Sequence, residues 1–202
     1  DLTVDRQIST VNYLEDSSIF GFFPNQNLPE SSYNLYAYAQ RIKPSNKDGR
    51  FVLEIPSQAA GQNITMTSPV ISDLFSDKKW NISFRISPNR HLIDNFTQSP
   101  SDGYVYEFTG FCYELDSLTE TFKISQQVTK NEADEFLKTD KRYYLGARRQ
   151  SYNSGATIIP TNLRFLNATV WQDYLGDEEI KSHSRNPSNY GRINQSHQIN
   201  LG

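Results

Sequence analysis

Three acidic residues have the types and the spacing that come closest to a catalytic pattern in this chain: Glu114, Asp116 and Glu120. On a single strand, their even spacing would direct all three carboxylates to one face, because strand side chains alternate between faces. Two carboxyl groups about 5 Å apart can act as nucleophile and acid in retaining glycoside hydrolysis. The Asp116–Ser117 pair also favours a turn, which would remove Glu120 from the row. We expect solvated carboxylates at a hairpin, with a glycoside hydrolase site as the alternative.

A polar loop at residues 148–155 contains the kinds of groups that bind glycans. Sugar rings stack on exposed aromatic side chains, and amide or guanidinium groups donate hydrogen bonds to their hydroxyls. Tyr152 would provide the stacking surface. The hydrogen-bonding groups would come from Arg149, Gln150 and Asn153. The alternative is an ordinary polar loop with one packed tyrosine.

Other chemistry receives little support from the sequence. Cys112 is the only cysteine, lies among aromatic residues, and is predicted to be a buried core thiol. The three histidines lack metal-ligand spacing: His91, His183 and His197. The sequence has no phosphate-binding glycine loop and no serine- or zinc-hydrolase motif. We therefore predict no catalysis, no cofactor and no specific metal site.

Charge and hydropathy exclude two classes of partner. The net charge is −3, and the only basic cluster is Arg148–Arg149, with Lys141–Arg142 nearby, which is too small for binding a nucleic-acid backbone. No apolar run approaches the ~20 residues that span a bilayer. We expect no nucleic-acid partner and no membrane span.

The patterning of the chain predicts an all-β fold. Aromatic residues make up 13% of the 202 residues, and they fit the half-buried faces of a sheet. We predict one sandwich domain at residues 1–190 and a polar tail or linker at 191–202. Period-2 alternation or strand composition predicts strands within residues 1–16, 33–43, 50–55, 80–87, 103–118, 119–128 and 163–171, and residues 56–67 are predicted to be loop followed by strand.

Other segments are predicted to be loops, turns or helices. Residues 17–32 contain Gly21, Pro24 and Pro29 and are predicted to be turn and loop. Residues 68–79 would contain one helical turn, and residues 129–142 a helix with an Asp134–Lys138 pair. A second helix would follow Asp177 as its N-cap. The two tryptophans are assigned to the core or its edge: Trp80 and Trp171.

Three segments resemble laminin-G-like, concanavalin A-like modules. WNISFRIS (80–87) resembles a strand that begins with Trp, and YYLGARRQ (143–150) a strand in which an apolar pair precedes Gly. LRFLNATVWQDYLGDEEIKSHSRNP (163–187) resembles the closing strand and short acidic helix. The resemblance implies an antiparallel two-sheet jelly roll of about a dozen strands with one or two short helices. The sequence pattern of the last two segments is also similar to that of such modules in large structural proteins of phages and other viruses.

The resemblance bears on the candidate chemistry as well. Such modules often bind Ca²⁺ at a loop rim, and the oxygen ligands here would be Asp94, Asn95, Asp102 and Asp173. No spacing distinguishes these residues as a ligand set. Some hydrolases on this jelly roll carry Glu-x-Asp-x-Glu, or the same with one extra residue, and the gap from Asp116 to Glu120 is longer than either.

We therefore expect a non-catalytic interaction module in a larger structural or adhesive assembly, such as a virion. It would bind a surface glycan or neighbouring protein subunits through a loop rim, outside the cell or on the virion surface. The alternatives are a separate lectin-type domain and, from another class, a glycoside hydrolase that uses Glu114, Asp116 and Glu120.

Overall fold

The computed structural model describes residues 2–4, 17–24, 34–43, 47–56, 63–88, 103–115, 117–149, 158–160, 163–171 and 174–186. Almost all of the regular structure in these residues consists of strands. The strands are β1 (Leu2–Val4), β2 (Ser17–Pro24), β3 (Leu35–Arg41), β4 (Gly49–Pro56), β5 (Asn63–Thr67), β6 (Lys79–Pro88), β7 (Gly103–Glu114), β8 (Ser117–Thr129), β9 (Lys141–Leu145), β10 (Ala147–Arg149), β11 (Ile158–Pro160) and β12 (Leu163–Phe165). The helices are α1 (Lys130–Lys138) and α2 (Asp177–Arg185).

The strands form two five-stranded sheets and a small ribbon. Sheet A has the order β12-β1-β6-β7-β8, and sheet B has the order β5-β4-β3-β2-β9. The ribbon pairs β10 with β11. All of these strand pairs are antiparallel. The prediction of an all-β, antiparallel two-sheet sandwich with short helices is confirmed.

The main core lies between the inner faces of the two sheets. Phe51 of sheet B meets two rings of sheet A, with centroids 5.1 Å from Trp80 and 5.6 Å from Phe122. Trp80 and Cys112 are fully buried there, as predicted. Burying an aromatic or aliphatic side chain of this size contributes about 1.5–3 kcal/mol.

Helix α1 connects the two sheets at one end of the sandwich. Thr129 caps it: its hydroxyl accepts from the Glu132 backbone N–H at 3.3 Å, and the Glu132 carboxylate accepts from the Thr129 N–H at 3.0 Å. Phe136 is the main buried side chain, and its ring contacts those of Phe22, Phe84 and Tyr106. The predicted ion pair between Asp134 and Lys138 is present at 3.3 Å.

The prediction of turn and loop for residues 17–32 is wrong for the first half of this segment, because residues 17–24 form β2. Gly21 is paired within this strand, opposite Tyr36, and an added Cβ would make a tight 3.1 Å contact with the Leu35 carbonyl oxygen. Phe20 and Phe22 on either side of Gly21 pack against the main core. Pairing on both edges, with β3 and β9, outweighs the local turn composition.

Two predicted strands are shorter than expected. β12 ends at Phe165, opposite Leu2, where the described part of β1 provides no further partner. The strand predicted at residues 143–150 is divided between β9 and β10 by Gly146, whose φ is +63°. A side chain there would also clash with the Phe165 ring, 2.9 Å from the added Cβ.

Two local details also differ from the sequence prediction. Residues 72–75 form a turn in which Asp73 has a φ of 55°, and the predicted helical turn is absent from residues 68–79. The N-cap of α2 is Gly176 rather than Asp177, which is the first helical residue. Asp177 instead contacts sheet A, as described below.

Candidate functional site

A cluster of charged side chains lies on the outer face of sheet A. Arg85 in β6 and Glu107 in β7 are direct cross-strand partners, and both are buried. Lys123 in β8 faces Thr109, diagonally adjacent to Glu107. The Lys123 Nζ lies 2.7 Å from Glu107 Oε1, and Arg85 NH2 lies 3.5 Å from Glu107 Oε2. These three residues, together with Tyr174 and Asp177, are called the charged cluster below.

Tyr174 and Asp177, which lie just before and at the start of α2, complete the charged cluster on the outer face of sheet A. Asp177 bridges the two cations, with Oδ1 2.6 Å from Arg85 NH2 and Oδ2 3.1 Å from Lys123 Nζ. Arg85 NH1 also donates to the Leu175 carbonyl at 2.9 Å. The Tyr174 hydroxyl donates to Glu107 Oε2 at 2.9 Å, and the Arg85 guanidinium lies 5.3 Å from the Tyr174 ring centre.

The ionisation of these groups follows from their contacts. Burial alone would raise the pKa of Asp177, but hydrogen bonds from Arg85 and Lys123 outweigh it and hold the pKa below its usual value. The hydrogen bond to Glu107 raises the pKa of Lys123, against the effect of its partial burial. Burial and the hydrogen bond to Glu107 raise the pKa of Tyr174. Tyr174 is therefore neutral at neutral pH, while Asp177 and Lys123 are ionised.

A small apolar cluster accompanies the ionic contacts. Leu175 and Ile180 pack against Phe111 on the outer face of β7, with Tyr113 beside them. This cluster is separate from the main core between the sheets.

All four carboxylate oxygens of Glu107 and Asp177 have a cationic or hydroxyl partner. The arrangement binds α2 to sheet A and presents no unpaired carboxylate as a general base.

Sequence reasoning missed the charged cluster. The alternation in WNISFRIS and GYVYEF placed Arg85 and Glu107 opposite the apolar faces of their strands, so their outward direction was predictable. Their mutual contact depends on the pairing of β6 with β7. The contact with Asp177 depends on where α2 docks, and no local pattern contains that information.

The three candidate catalytic carboxylates do not share one strand. Glu114 pairs with Ser117, so a two-residue turn separates Glu114 in β7 from Glu120 in β8. The turn alternative is confirmed, and Asp116 lies outside the described residues. Glu120 forms an ion pair with Lys78. A single-strand row of three carboxylates is therefore wrong.

Lys78 and Cys112 adjoin this hairpin. Partial burial would lower the pKa of Lys78, but the hydrogen bond and charge of Glu120 outweigh it and raise the pKa. Burial raises the pKa of the Cys112 thiol, even though a contact with Thr119 opposes the shift. A protonated, buried thiol is a poor nucleophile, which agrees with its predicted role as a core residue.

Four large apolar side chains are exposed between β12 and α2. Leu166 and Val170 are 58% and 61% exposed, and Trp171 and Tyr174 are 36% and 44% exposed. These four residues are called the apolar rim below. The Trp171 ring lies 5.3 Å from the ring of His183 in the last turn of α2. The assignment of Trp171 to the core or its edge is wrong, because it lies on the surface against this helix.

Most of the predicted binding residues lie outside the described part of the chain. The backbone of Arg149 pairs with Ile158 in the ribbon, but its side chain is not described. The rest of the predicted ligand-binding rim is outside the described residues: Gln150, Tyr152 and Asn153. The same holds for the calcium candidates Asp94, Asn95, Asp102 and Asp173. Among the residues that are described, no three His, Cys, Asp or Glu side chains are grouped to hold a metal ion.

Neither of the helices in the described ranges is long and apolar enough to cross a membrane. No family model, curated protein or solved structure matches this chain.

Proposed function

We propose that this chain is a non-catalytic interaction module of a larger structural or adhesive assembly, and that it binds a neighbouring protein subunit through the apolar rim. The observation that carries the proposal is the exposure of four large apolar side chains within nine residues, Leu166, Val170, Trp171 and Tyr174. Contiguous exposed apolar groups mark interaction surfaces in folded proteins. The resemblance to laminin-G-like modules supports the same class of function and a location outside the cell or on a virion.

The rim is held in place by the fold. Trp171 packs against His183, and Tyr174 is fixed by its hydrogen bond to Glu107 and its contact with Arg85. The Cα atoms of these two residues are at most about 11 Å apart, because they are three positions apart in the chain. A surface that is already ordered loses little entropy on binding, and Trp and Tyr are the residue types that contribute most to protein interfaces.

A glycan is the second candidate ligand, and the same two aromatic rings favour it. Exposed Trp and Tyr side chains stack on sugar rings, and Trp171 and Tyr174 are both partly exposed. The polar loop at residues 148–155 would add hydrogen bonds to sugar hydroxyls, through its predicted ligand-binding residues Arg149, Gln150, Tyr152 and Asn153.

The test uses a second copy of the chain as the partner, with sedimentation equilibrium over a range of concentrations. We expect reversible self-association that Val170→Ser weakens by about tenfold, because burying a valine side chain contributes about 1.5 kcal/mol and each 1.4 kcal/mol changes an affinity about tenfold. Val70→Ser is the matched control, since Val70 is 59% exposed and Val170 is 61% exposed. Val70 lies in the segment that connects β5 and β6, away from the rim in sequence.

A glycan array, run with calcium and with EDTA, tests the second ligand class. Array binding that Trp171→Ala abolishes would assign the rim to glycans. A chain that stays monomeric at all concentrations and binds no glycan would contradict both versions of the proposal. Equal effects of the two valine substitutions would exclude the rim as the contact surface.

A further inference from the structure

We infer that residues 174–186 form a strap that detaches from the folded sandwich as a unit, and that the Asp177 carboxylate is the lock that holds it. The strap comprises Tyr174, Leu175, Gly176 and helix α2 with its C-cap. Its contacts in the charged cluster cross to three strands of sheet A, through Arg85, Glu107 and Lys123.

The apolar contacts of the strap are separate from the main core. Leu175 and Ile180 are its buried apolar side chains, and they belong to a cluster with Phe111 that does not join the core between the sheets. Every side chain of the main core comes from other elements, so the sandwich retains its core when the strap leaves. Two buried side chains are a small apolar contact, which leaves the ionic contacts to decide whether the strap stays.

The strap cannot remain helical after it leaves. Helix α2 has nine residues, and isolated helices shorter than about 12–15 residues are marginal in water. Its N-cap is Gly176, which has no side chain to accept a backbone hydrogen bond. The Glu179 carboxylate accepts from the Gly176 N–H at 2.8 Å, and this leaves Asp177 to contact the sheet. Detachment and loss of the helix therefore occur together.

Asp177 joins the strap to two cations of sheet A. It is the one carboxylate of the strap that bridges Arg85 and Lys123 in the described structure. Arg85 is buried, and its Nε already has no hydrogen-bond partner among the described residues. Without Asp177, only the Leu175 carbonyl and the Tyr174 ring of the strap would still face the guanidinium.

Release of the strap changes the charge of the surface below it. With Asp177 removed, Arg85 and Lys123 face one carboxylate, that of Glu107. The outer face of sheet A below the strap then has an excess of one positive charge. Salt ions compete with Asp177 for these two cations, and the pairs on the exposed side of the cluster are screened. Added salt is therefore expected to favour the released strap.

Hydrogen exchange with peptide-level mass spectrometry tests the lock on the full chain at pH 7. In Asp177→Asn we expect the amides of α2 to exchange about tenfold faster or more, because the substitution weakens the charge-assisted hydrogen bonds that Asp177 accepts from Arg85 and Lys123. The amides of β6, β7 and β8 should exchange at their original rates. Glu178→Gln is the matched control: it removes the same charge from the same turn, but Glu178 pairs with Lys181 and contacts no strand through that pair.

Two results would overturn the inference. One is an unchanged exchange rate of α2 in Asp177→Asn, or an equal increase in Glu178→Gln. The other comes from the unmodified chain in low concentrations of urea. If the α2 amides exchange at the rate of the central strands, with the same urea dependence, then the strap opens only when the whole domain unfolds.

The strap and the apolar rim share Tyr174, and Trp171 of the rim contacts His183 of the strap. The two proposals are separated by measuring exchange at a concentration where the chain is monomeric, and there Val170→Ser should leave the exchange of α2 unchanged. A strap that fails the exchange test would leave the self-association test standing, and the reverse also holds.

Discussion

Arg85 NH2 lies 2.6 Å from Asp177 Oδ1, although 92 residues separate them in the chain. This contact joins the central strand β6 to the last described helix. The guanidinium is buried, and it also contacts Glu107, Leu175 and Tyr174. Arg85 therefore links Glu107 of β7 to the strap, which it contacts at Tyr174, Leu175 and Asp177.

Arg85→Met should lower the free energy of unfolding by about 3–5 kcal/mol, because it leaves the buried Glu107 with less compensation for its charge. Lys123→Met removes the same charge from a partner of the same two carboxylates. The Lys123 side chain is 42% exposed and that of Arg85 is 6% exposed, so the lysine should cost only about 1 kcal/mol. Urea denaturation of both variants measures the difference. Equal losses would show that burial does not set the strength of this cluster.

Acid should weaken the docking of α2 at a pH set by Asp177. Its pKa in the folded chain lies below the ordinary value of 3.8, so its contribution to stability is complete above that value. The contribution is lost as the pH falls through the depressed pKa of the folded state. A carboxyl ¹³C titration should give a midpoint below 3.8 for Asp177. In Arg85→Met the midpoint should rise, and an unchanged midpoint would argue against Arg85 as a cause of the shift.

Lys141 should titrate far below an ordinary lysine. Burial lowers its pKa to about 8 from 10.5, against the opposing effect of Asp140. Its Nζ lies 4.2 Å from the centre of the Phe136 ring and donates to the Thr139 carbonyl at 2.9 Å. NMR of ¹³C-methylated lysines should give a midpoint near 8 for Lys141, with the exposed Lys138 as the reference signal.

The same shift predicts a pH-dependent effect on stability. A depressed lysine pKa means that folding disfavours the protonated amine, so the penalty is complete below the folded pKa and disappears as the pH approaches the unfolded value. The gain in stability from Lys141→Met, relative to the unmodified chain, should therefore be larger at pH 7 than at pH 10. Lys138→Met, which removes an exposed lysine from the end of α1, is the comparison variant. A gain that grows between pH 7 and pH 10 would contradict the shift.

Gly110→Ala should destabilise the sandwich by about 1–3 kcal/mol, the usual cost of overpacking a core. Gly110 pairs with Phe122 across β7 and β8, and an added Cβ would lie 2.2 Å from the Phe122 ring. The ring cannot move freely, since it stacks against Phe51 and meets Phe108 edge-on. Thermal unfolding measures the loss.

Phe122→Leu provides the control for this steric explanation. In a double-mutant cycle, Gly110→Ala should cost less in the Phe122→Leu background, because the smaller side chain leaves room for the methyl group. Strictly additive losses would mean that the glycine is required for its backbone rather than for the space it leaves.

The sequence by itself determined the strands whose alternation is strong and the helix that follows β8. Trp80 and Phe84 share the core side of β6, and Leu35 and Ala37 share the core side of β3, which agrees with a period-2 alternation of faces. Helix α1 ends β8 through the capping box of Thr129. These features depend on residues within a few positions of each other, so local patterns contain enough information to predict them.

Only the tertiary structure decided the features that depend on strand pairing or docking. The segment with Gly21 and Pro24 became β2 because β3 and β9 pair with it on both sides. The hairpin turn after Glu114 separated it from Glu120, and the docking of α2 left Trp171 on the surface. In each case the deciding contact joins residues far apart in the chain, and a local pattern does not specify which distant partner is chosen.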